Sequence, residues 1–348
     1  MARVLVTGAT GFIAGHVILQ LLDAGHEVRG TARSTGSAPR LNETLSKYAG
    51  KPIAIELFAA DLERDEGWDE AVAGMDYVQH VASPFPSSVP KDADDLIRPA
   101  RDGALRVLKA AKAAGVKRVV MTSSMAAIAY GWGDDRPAVL TEEHWSNPDN
   151  LKDNTAYTRS KTIAERAAWD YVNGEGQGLE LAVINPAAVL GPVMSGDLSA
   201  SLELLTIPLS GKVPAVPRVG FGIVDVRDVA AAQVAAMTVP GAAGERFLVS
   251  QPFMWFSEVA DVLREAYPAY AKKLPKGTMP DVMLKLAAMF NPVLKQVIPE
   301  LGRERQVSSE KARRLLGWQP HTASEAIIDG AQSLMDAGMV QPPKGQKS

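Results

Sequence analysis

Thr7-Gly8-Ala9-Thr10-Gly11-Phe12-Ile13-Ala14-Gly15 follows directly on the run Arg3-Val4-Leu5-Val6, and the reading of this junction decides the fold. The run before it reads as a buried strand, and the residues after Gly11 as the opening of a helix. Each small residue has a task in such a strand-turn-helix. Gly8 permits the tight turn, Gly11 lets backbone approach a pyrophosphate, and Ala14 or Gly15 lets helix and strand pack closely. The N-terminus of the helix then presents unpaired N–H groups and positive partial charge to phosphates. Glycine spacing alone is common in turns; the strand before and the helix after are what make this a dinucleotide site.

Outward from this junction, short apolar runs alternate with amphipathic segments, a βαβα rhythm that predicts a parallel sheet with helices on both faces. Strands are expected near 3–7, 26–32, 52–58, 76–81, 117–122 and 180–185, with helices near 12–24, 94–114 and 155–173. The texture changes after Asn185-Pro186 to Gly, Pro and Ser punctuation, which predicts irregular, substrate-facing segments. Residues 222–239 become regular again, and beyond residue 250 mostly helices are expected, including 257–267 and 308–315. The expected fold class is therefore α/β, a Rossmann-type doubly wound parallel sheet with a smaller, mostly helical C-terminal substrate-binding region. Residues 1–189, rejoined by 222–239, form the NADP-binding domain in this reading, 190–221 and 240–340 the substrate-binding region, and 341–348 a frayed tail.

With 46% hydrophobic and 22% charged residues among 348, the chain has the balance of a globular protein. A net charge of -3 offers no basic field for nucleic acid. There is no cysteine, which removes disulfides, thiolate nucleophiles and cysteine-bound metals. A strand expected almost from residue 1 leaves no room for a cleavable signal peptide, and the apolar runs are too short to span a bilayer. The expectation is a cytoplasmic monomer or homodimer acting on a small molecule, without membrane or nucleic-acid partners.

The end of the second strand selects the cofactor. An NAD enzyme places Asp or Glu there for the ribose 2'-hydroxyl, whereas Gly30-Thr31-Ala32-Arg33-Ser34 has no acid and supplies a guanidinium, which pairs well with a phosphate. Arg33 is thus expected to hold the 2'-phosphate of NADP(H), with Ser34, Arg40 or Lys47 as helpers. Asp61-Leu62, after the third strand, is placed to meet the adenine edge, or Asp61 caps the following turn.

Tyr157 and Lys161 lie four residues apart, on one face of an expected helix, and Thr122-Ser123-Ser124 ends the fifth strand. In open α/β sheets the ligand lies beyond the carboxyl ends of the strands. Reducing a carbonyl requires a proton on oxygen as negative charge develops there. A phenol becomes a useful acid-base group near neutrality when a cation lowers its pKa, the part expected of Lys161. Ser124, or Ser123 if the strand ends one residue earlier, would stabilise the developing alkoxide by a hydrogen bond.

Taken together, the N-terminal glycine turn, Ser124, Tyr157 and Lys161, Ile184-Asn185-Pro186 and Val224-Asp225-Val226-Arg227-Asp228 make a chain that resembles the extended short-chain dehydrogenase/reductase superfamily. His80-Val81-Ala82-Ser83-Pro84 with Thr122-Ser123-Ser124, and the ending Lys311 to Pro320, resemble the branch of dihydroflavonol reductases and yeast-type aldehyde and ketone reductases. The resemblance implies a catalytic Ser124-Tyr157-Lys161 set, with Lys161 also bonding the nicotinamide ribose. It further implies Pro186 to Val189 beside the nicotinamide, and cofactor contacts near Phe12, Ile13, Val81 and Ser83. Three positions depart from the pattern. Ala14 replaces the third glycine, Ala129 replaces an asparagine that plant flavonoid reductases use for the B-ring hydroxyls, and Asn154-Thr155-Ala156-Tyr157 is not the Asn-Trp-Tyr of cinnamoyl-CoA reductases.

The five histidines are scattered without metal-ligand spacing, so no metal is expected. Phe85, Met125, Ile128, Val193, Met194 and Ile223 are candidates for an apolar pocket, with plain core packing as the alternative for each. NADPH-dependent reduction of a ketone or aldehyde is the first functional reading. A nucleotide-sugar epimerase or dehydratase of the same superfamily is the second, and an NADP-sensing protein without chemistry the third. Arg33→Ala is expected to weaken NADPH binding about tenfold or more, the loss of a charge-assisted hydrogen bond; an unchanged Kd in a fluorescence titration would remove Arg33 from the cofactor site.

Overall fold

The computed structural model describes residues 1–84, 92–194 and 200–341. Its first half runs β1 (Arg3–Val6), α1 (Phe12–Asp23), β2 (Glu27–Ala32), α2 (Ala38–Ala49), β3 (Glu56–Ala59), α3 (Trp68–Val72), β4 (Tyr77–His80), α4 (Asp94–Ala113), β5 (Arg118–Thr122), α5 (Ala156–Asn173) and β6 (Glu180–Pro186). The second half runs β7 (Ala188–Leu190), α6 (Glu203–Leu209), β8 (Gly220–Asp225), α7 (Val226–Thr238), β9 (Arg246–Val249), β10 (Phe253–Trp255), α8 (Phe256–Ala266), α9 (Asp281–Ala288), α10 (Pro292–Lys295), α11 (Glu310–Leu316) and α12 (Ala323–Asp336).

Seven strands form one sheet in the order β3-β2-β1-β4-β5-β6-β9, every neighbouring pair parallel. Successive side chains of a strand face opposite sides, so Val4 and Val6 enter one core with Val17 and Ile18 of α1 and Val229 of α7. Leu5, between them, enters the other core with Val107 and Leu108 of α4 and Ala168 of α5. The expected doubly wound α/β fold is therefore present. The smaller C-terminal region has a third core, in which Ile223, Leu205, Leu263, Ile327 and Leu334 join β8 to α6, α8 and α12.

Three expectations are amended. The third strand, expected over 52–58, starts only at Glu56, because α2 intercepts the preceding backbone. Ile53 N–H donates to Ser46 Oγ (2.8 Å), and Asn42 both takes Ile55 N–H (3.1 Å) and donates to Ile55 O (3.2 Å). Residues 222–239 divide between a strand and a helix, since Asp225 ends β8 and its carboxylate accepts Arg227 N–H (2.8 Å) at the N-cap of α7. The segment expected to be irregular after Pro186 contains β7 and α6, and β7 pairs in parallel with β8, which pairs antiparallel with β10, in a separate three-stranded sheet.

The junction that decides the fold rests on Gly30 of β2. A Cβ there would lie 2.6 Å from Ala9 Cβ and 2.6 Å from Leu57 Cδ2. The leucine tip can rotate, but Ala9 is backbone-tied to the turn, with its N–H on Thr31 O (2.8 Å). Gly30→Ala is expected to destabilise the chain by about 1–3 kcal/mol through overpacking, read as a lowered Tm; an unchanged melting curve would show that the turn has slack.

Candidate active site

The parallel sheet brings the expected site residues to one edge, because every strand ends on the same side. Reading across it, Asp61 follows β3, Arg33 follows β2, Gly8 follows β1, Val81 and Ser83 follow β4, Ser124 follows β5 and Pro186 ends β6. Five strand spacings of about 4.8 Å make this row roughly 24 Å long. The strand order reverses between β1 and β4, the position at which open α/β sheets leave a crevice.

The glycine turn lies at that reversal. Gly8 has φ +64°, and a Cβ on it would meet Ala82 Cβ at 3.0 Å, so only glycine fits without strain. Its N–H donates to Thr31 Oγ1 (3.2 Å). Thr7 Oγ1 accepts Ala82 N–H (3.0 Å) and pairs with His80 Nδ1 (2.9 Å). Burial pushes that imidazole down to about 3, so it stays neutral. Gly11 caps α1 without any side-chain bond, and no acid sits in the first turn. The first N–H groups of α1, from Phe12 and Ile13 on, have no partner within the helix. The cleft above them is lined by Thr10, Gly11, Phe12, Thr44, Val193 and Met194. Ala14, in place of the third glycine, is wholly buried in the core, while Gly15 makes room for Met194, whose sulfur would lie 3.1 Å from a Cβ there.

Arg33 and Arg40 are exposed near the start of α2, and Ser34 turns its hydroxyl to Gly36 N–H (3.2 Å). Lys47 lies in the last turn of α2, roughly 10 Å further along the axis than Arg40 at 1.5 Å per residue, so the helix carries it away from Arg33. Asp61 uses its carboxylate on Glu63 N–H (3.0 Å), the capping alternative, and Leu62 packs against Gly103.

Thr155 starts α5 through a capping box with Thr158, which fixes the helix phase two residues before Tyr157. The phenol of Tyr157 faces the Ser124 side chain. Lys161 Nζ donates to Ser83 Oγ (3.0 Å) and stands 5.8 Å from the Tyr157 ring centroid. Ser83, Ser124, Tyr157 and Lys161 thus form one cluster beside Pro186; Val189 is buried in β7. The expectation of a lowered phenol is corrected, since the net shift is upward. Burial pushes Tyr157 above its usual value, and it is the Ser124 bond that pulls it back. Lys161 is itself pushed down to about 8 by burial, with the Glu165 charge opposing the shift.

Ser123, the alternative to Ser124, points elsewhere: its hydroxyl donates to Glu165 Oε2. Glu165 is wholly buried, and also takes Asn185 Nδ2 (2.7 Å) on Oε2 and Arg246 Nε on Oε1. Asn185 Nδ2 in turn reaches Ser124 O (3.1 Å). Arg246 donates to Glu142 O (2.8 Å) and His144 O (2.9 Å) and stacks 3.7 Å from the Trp145 ring centroid. Sequence reasoning missed this group. The available signal was a carboxylate four residues beyond Lys161 on the same helical face. A second buried network ties the C-terminal region to the loop before α5, with Arg305 bonding Ala129 O (2.6 Å), Asp153 Oδ1 (2.7 Å) and Glu300 Oε2 (3.1 Å).

Of the apolar candidates, Ile128 and Ile223 are wholly buried in cores, Val193 is nearly so, and Met125 and Met194 are partly exposed. Phe85 lies outside the described residues. The scattered histidines hid one grouping, since ligand atoms of Asp225, Asp228 and His321 lie within 4.8 Å of one another. Those groups are already bonded. Asp225 takes Arg227 Nε (2.9 Å) and Nη2 (2.7 Å), and Asp228 takes His321 Nδ1 (2.8 Å), which reads as a structural knot joining α7 to the C-terminal region.

A family model described as the NAD dependent epimerase/dehydratase family matches residues 4–250. The chain belongs to this family. Within it, the chain is 36% identical to a cinnamoyl-CoA reductase of Medicago truncatula over 315 residues, covering 90% of this chain and 89% of that one. It is 36% identical to tetraketide alpha-pyrone reductase 2 of Arabidopsis thaliana, covering 78% and 84%. It is 30% identical to a putative NADPH-dependent methylglyoxal reductase of Candida albicans, covering 95% and 98%. Among solved structures, yeast methylglyoxal/isovaleraldehyde reductase complexed with NADPH superposes with a TM-score of 0.79 at 29% identity, over 97% of this chain and 99% of that one.

Proposed function

We propose that this chain is an NADPH-dependent carbonyl reductase that converts a ketone or aldehyde to an alcohol, with Tyr157 as general acid. The observation that supports it most is the meeting of Ser124, Tyr157 and Lys161 at the carboxyl edge of the sheet, with Lys161 one turn on from Tyr157 along α5. The residues present fit a dinucleotide, since the Gly8 turn is stapled to β2 and β4 and the N-terminus of α1 is left without a side-chain cap. Arg33, exposed at the end of β2, suits the 2'-phosphate of NADP(H), in keeping with the NADPH named for the Candida albicans and yeast relatives.

When bound, the cofactor supplies a hydride to the carbonyl carbon. Ser124 would hold the carbonyl oxygen by a hydrogen bond that strengthens as charge builds there. Tyr157, kept protonated at neutral pH by burial, would give its proton to that oxygen. Lys161, near the phenol, would stabilise the phenolate left behind and, on leaving Ser83, bond the ribose. Asn154-Thr155-Ala156-Tyr157 argues against a CoA thioester, despite the cinnamoyl-CoA reductases among the relatives, and the wholly buried Ala129 argues against a flavonoid held by its B-ring hydroxyls. A UDP-glucose 4-epimerase shares the fold at a TM-score of 0.74 and 18% identity. That likeness extends to the fold alone, and the absence of an acid after β2 weighs against an NAD-retaining epimerase.

A panel of aryl ketones, benzaldehydes and methylglyoxal is expected to yield NADPH oxidation at 340 nm. Tyr157→Phe should lower kcat by about two to four orders of magnitude with NADPH binding kept, and near-wild-type turnover in it would sink the mechanism. The ammonium of Lys161 is present below its depressed pKa of about 8 and lost above it. kcat should therefore fall as pH rises through about 8, and Lys161→Arg, if active, should push that limb upward. A flat profile to pH 10 would show that the cation is not used.

A further inference from the structure

We infer that Glu165 is a positioning residue of this site: its buried carboxylate aims Ser124 at Tyr157 by holding Ser123 and Asn185, and supplies the counter-charge for Lys161. The inference deepens the reductase reading and rests on it for its consequence in turnover, but not for its structural content.

Oxygen Oε2 of Glu165 accepts both the Ser123 hydroxyl and Asn185 Nδ2 (2.7 Å). Ser123 and Ser124 are neighbours on extended backbone, so their side chains point to opposite sides. Holding the Ser123 hydroxyl fixes the backbone of the adjoining Ser124, whose own hydroxyl is turned away from Glu165 and accepts Ala126 N–H (3.1 Å). Asn185 Nδ2 reinforces this from β6 by bonding Ser124 O (3.1 Å). Three elements, β5, β6 and α5, are thereby registered by one carboxylate.

Its charge has a second consequence. Glu165 is four residues beyond Lys161, on the same face of α5, so carboxylate and ammonium are stacked neighbours. The groups facing Lys161 are Ser83 and the neutral His80 from the β4 side, Ser124 through Tyr157 from β5, and Tyr157 and Glu165 from α5 itself. Among these, Glu165 is the anion, and its charge raises the pKa of Lys161 against burial. In its wholly buried position the Glu165 carboxylate pairs through Oε1 with Arg246 of β9, and Trp169 Nε1 adds a longer bond (3.4 Å). Among the described residues Arg246 Nη2 has no hydrogen-bond partner, and the carboxylate paired with this guanidinium is that of Glu165.

The test uses the full-length, cofactor-free protein with its lysines ¹³C-methylated by reductive alkylation, the Lys161 signal being assigned by its absence in Lys161→Arg. Glu165→Gln keeps the shape and removes the charge, and the Lys161 midpoint should fall by about half a pH unit or more, a shift of the order expected for losing one neighbouring charge. Glu165→Asp keeps the charge and shortens the reach, so the midpoint should stay while kcat for methylglyoxal falls with NADPH KM unchanged. Because Glu165→Gln strands Arg246, a Glu165→Gln/Arg246→Gln pair serves if the single variant fails to bind NADPH, and the midpoint should move in the same direction. An NADPH-binding variant lacking the carboxylate but with an unmoved Lys161 midpoint overturns the electrostatic part. Glu165→Asp with full kcat overturns the positioning part. If instead no carbonyl compound drives NADPH oxidation in the wild-type protein, the reductase reading falls while a shifted Lys161 midpoint still stands.

Discussion

Thr7, wholly buried at the end of β1, donates its backbone N–H to Gln79 O (3.0 Å) and takes Ala82 N–H on its hydroxyl (3.0 Å), so β1 and β4 stay paired up to the point where their chains part. Everything at the carboxyl edge depends on that pairing. From β1 the chain proceeds outward through β2 and β3, then returns to lay β4 on the other side of β1. The connections leave in opposite directions, one above each face, and the gap between them can be closed neither by β1 nor by β4. Gly8 turns the backbone away at the gap, and the His80 ring, kept neutral by burial, closes its floor against Thr7.

On the other side of the gap the site is held by charge. A buried carboxylate-guanidinium pair costs desolvation that well-packed apolar residues would avoid, so Glu165 and Arg246 are a poor device for stability alone. Their geometry supports the positioning role inferred for Glu165. The pair sits where β5, β6, β9 and α5 converge, and the Glu165 arm ends on Ser123 and on Asn185, which in turn bonds Ser124 O. An apolar plug of equal volume would fill the space and leave those two side chains unheld.

The parts legible in the sequence are those whose physics is local. The glycine turn is a strand, two glycines and the opening of a helix between Arg3 and Ala14, and Tyr157 with Lys161 is one helical turn; both signals lie within a window that periodicity can read. The late start of β3 was hidden because Ser46 and Asn42 compete for its backbone from a helix that the apolar pattern did not announce, only Leu41 and Leu45 of α2 being buried. Lys47 was a candidate as a cation after Arg33, and it lies in the last turn of α2. The Glu165–Arg246 pair spans 81 residues and the Asp228–His321 pair 93, and no spacing rule reaches across such distances. The three-stranded sheet escaped for the same reason, since β7, β8 and β10 are three to six residues long and meet only after long excursions.

The proton inventory of the cluster also bears on the direction of the proposed chemistry. Running it as an oxidation needs Tyr157 as phenolate, to take a proton from an alcohol, whereas reduction needs the phenol. Burial raises Tyr157, so phenolate forms only at strongly alkaline pH. Lys161 loses its charge near pH 8, well before that point. The pH that would ionise the phenol thus first removes the cation beside it. With one pKa raised and the other depressed, the state in which both groups are competent is phenol plus ammonium, and it is the majority state at neutral pH. The cluster as built, before any ligand enters, thus holds the phenol and the ammonium that the proposed reduction uses.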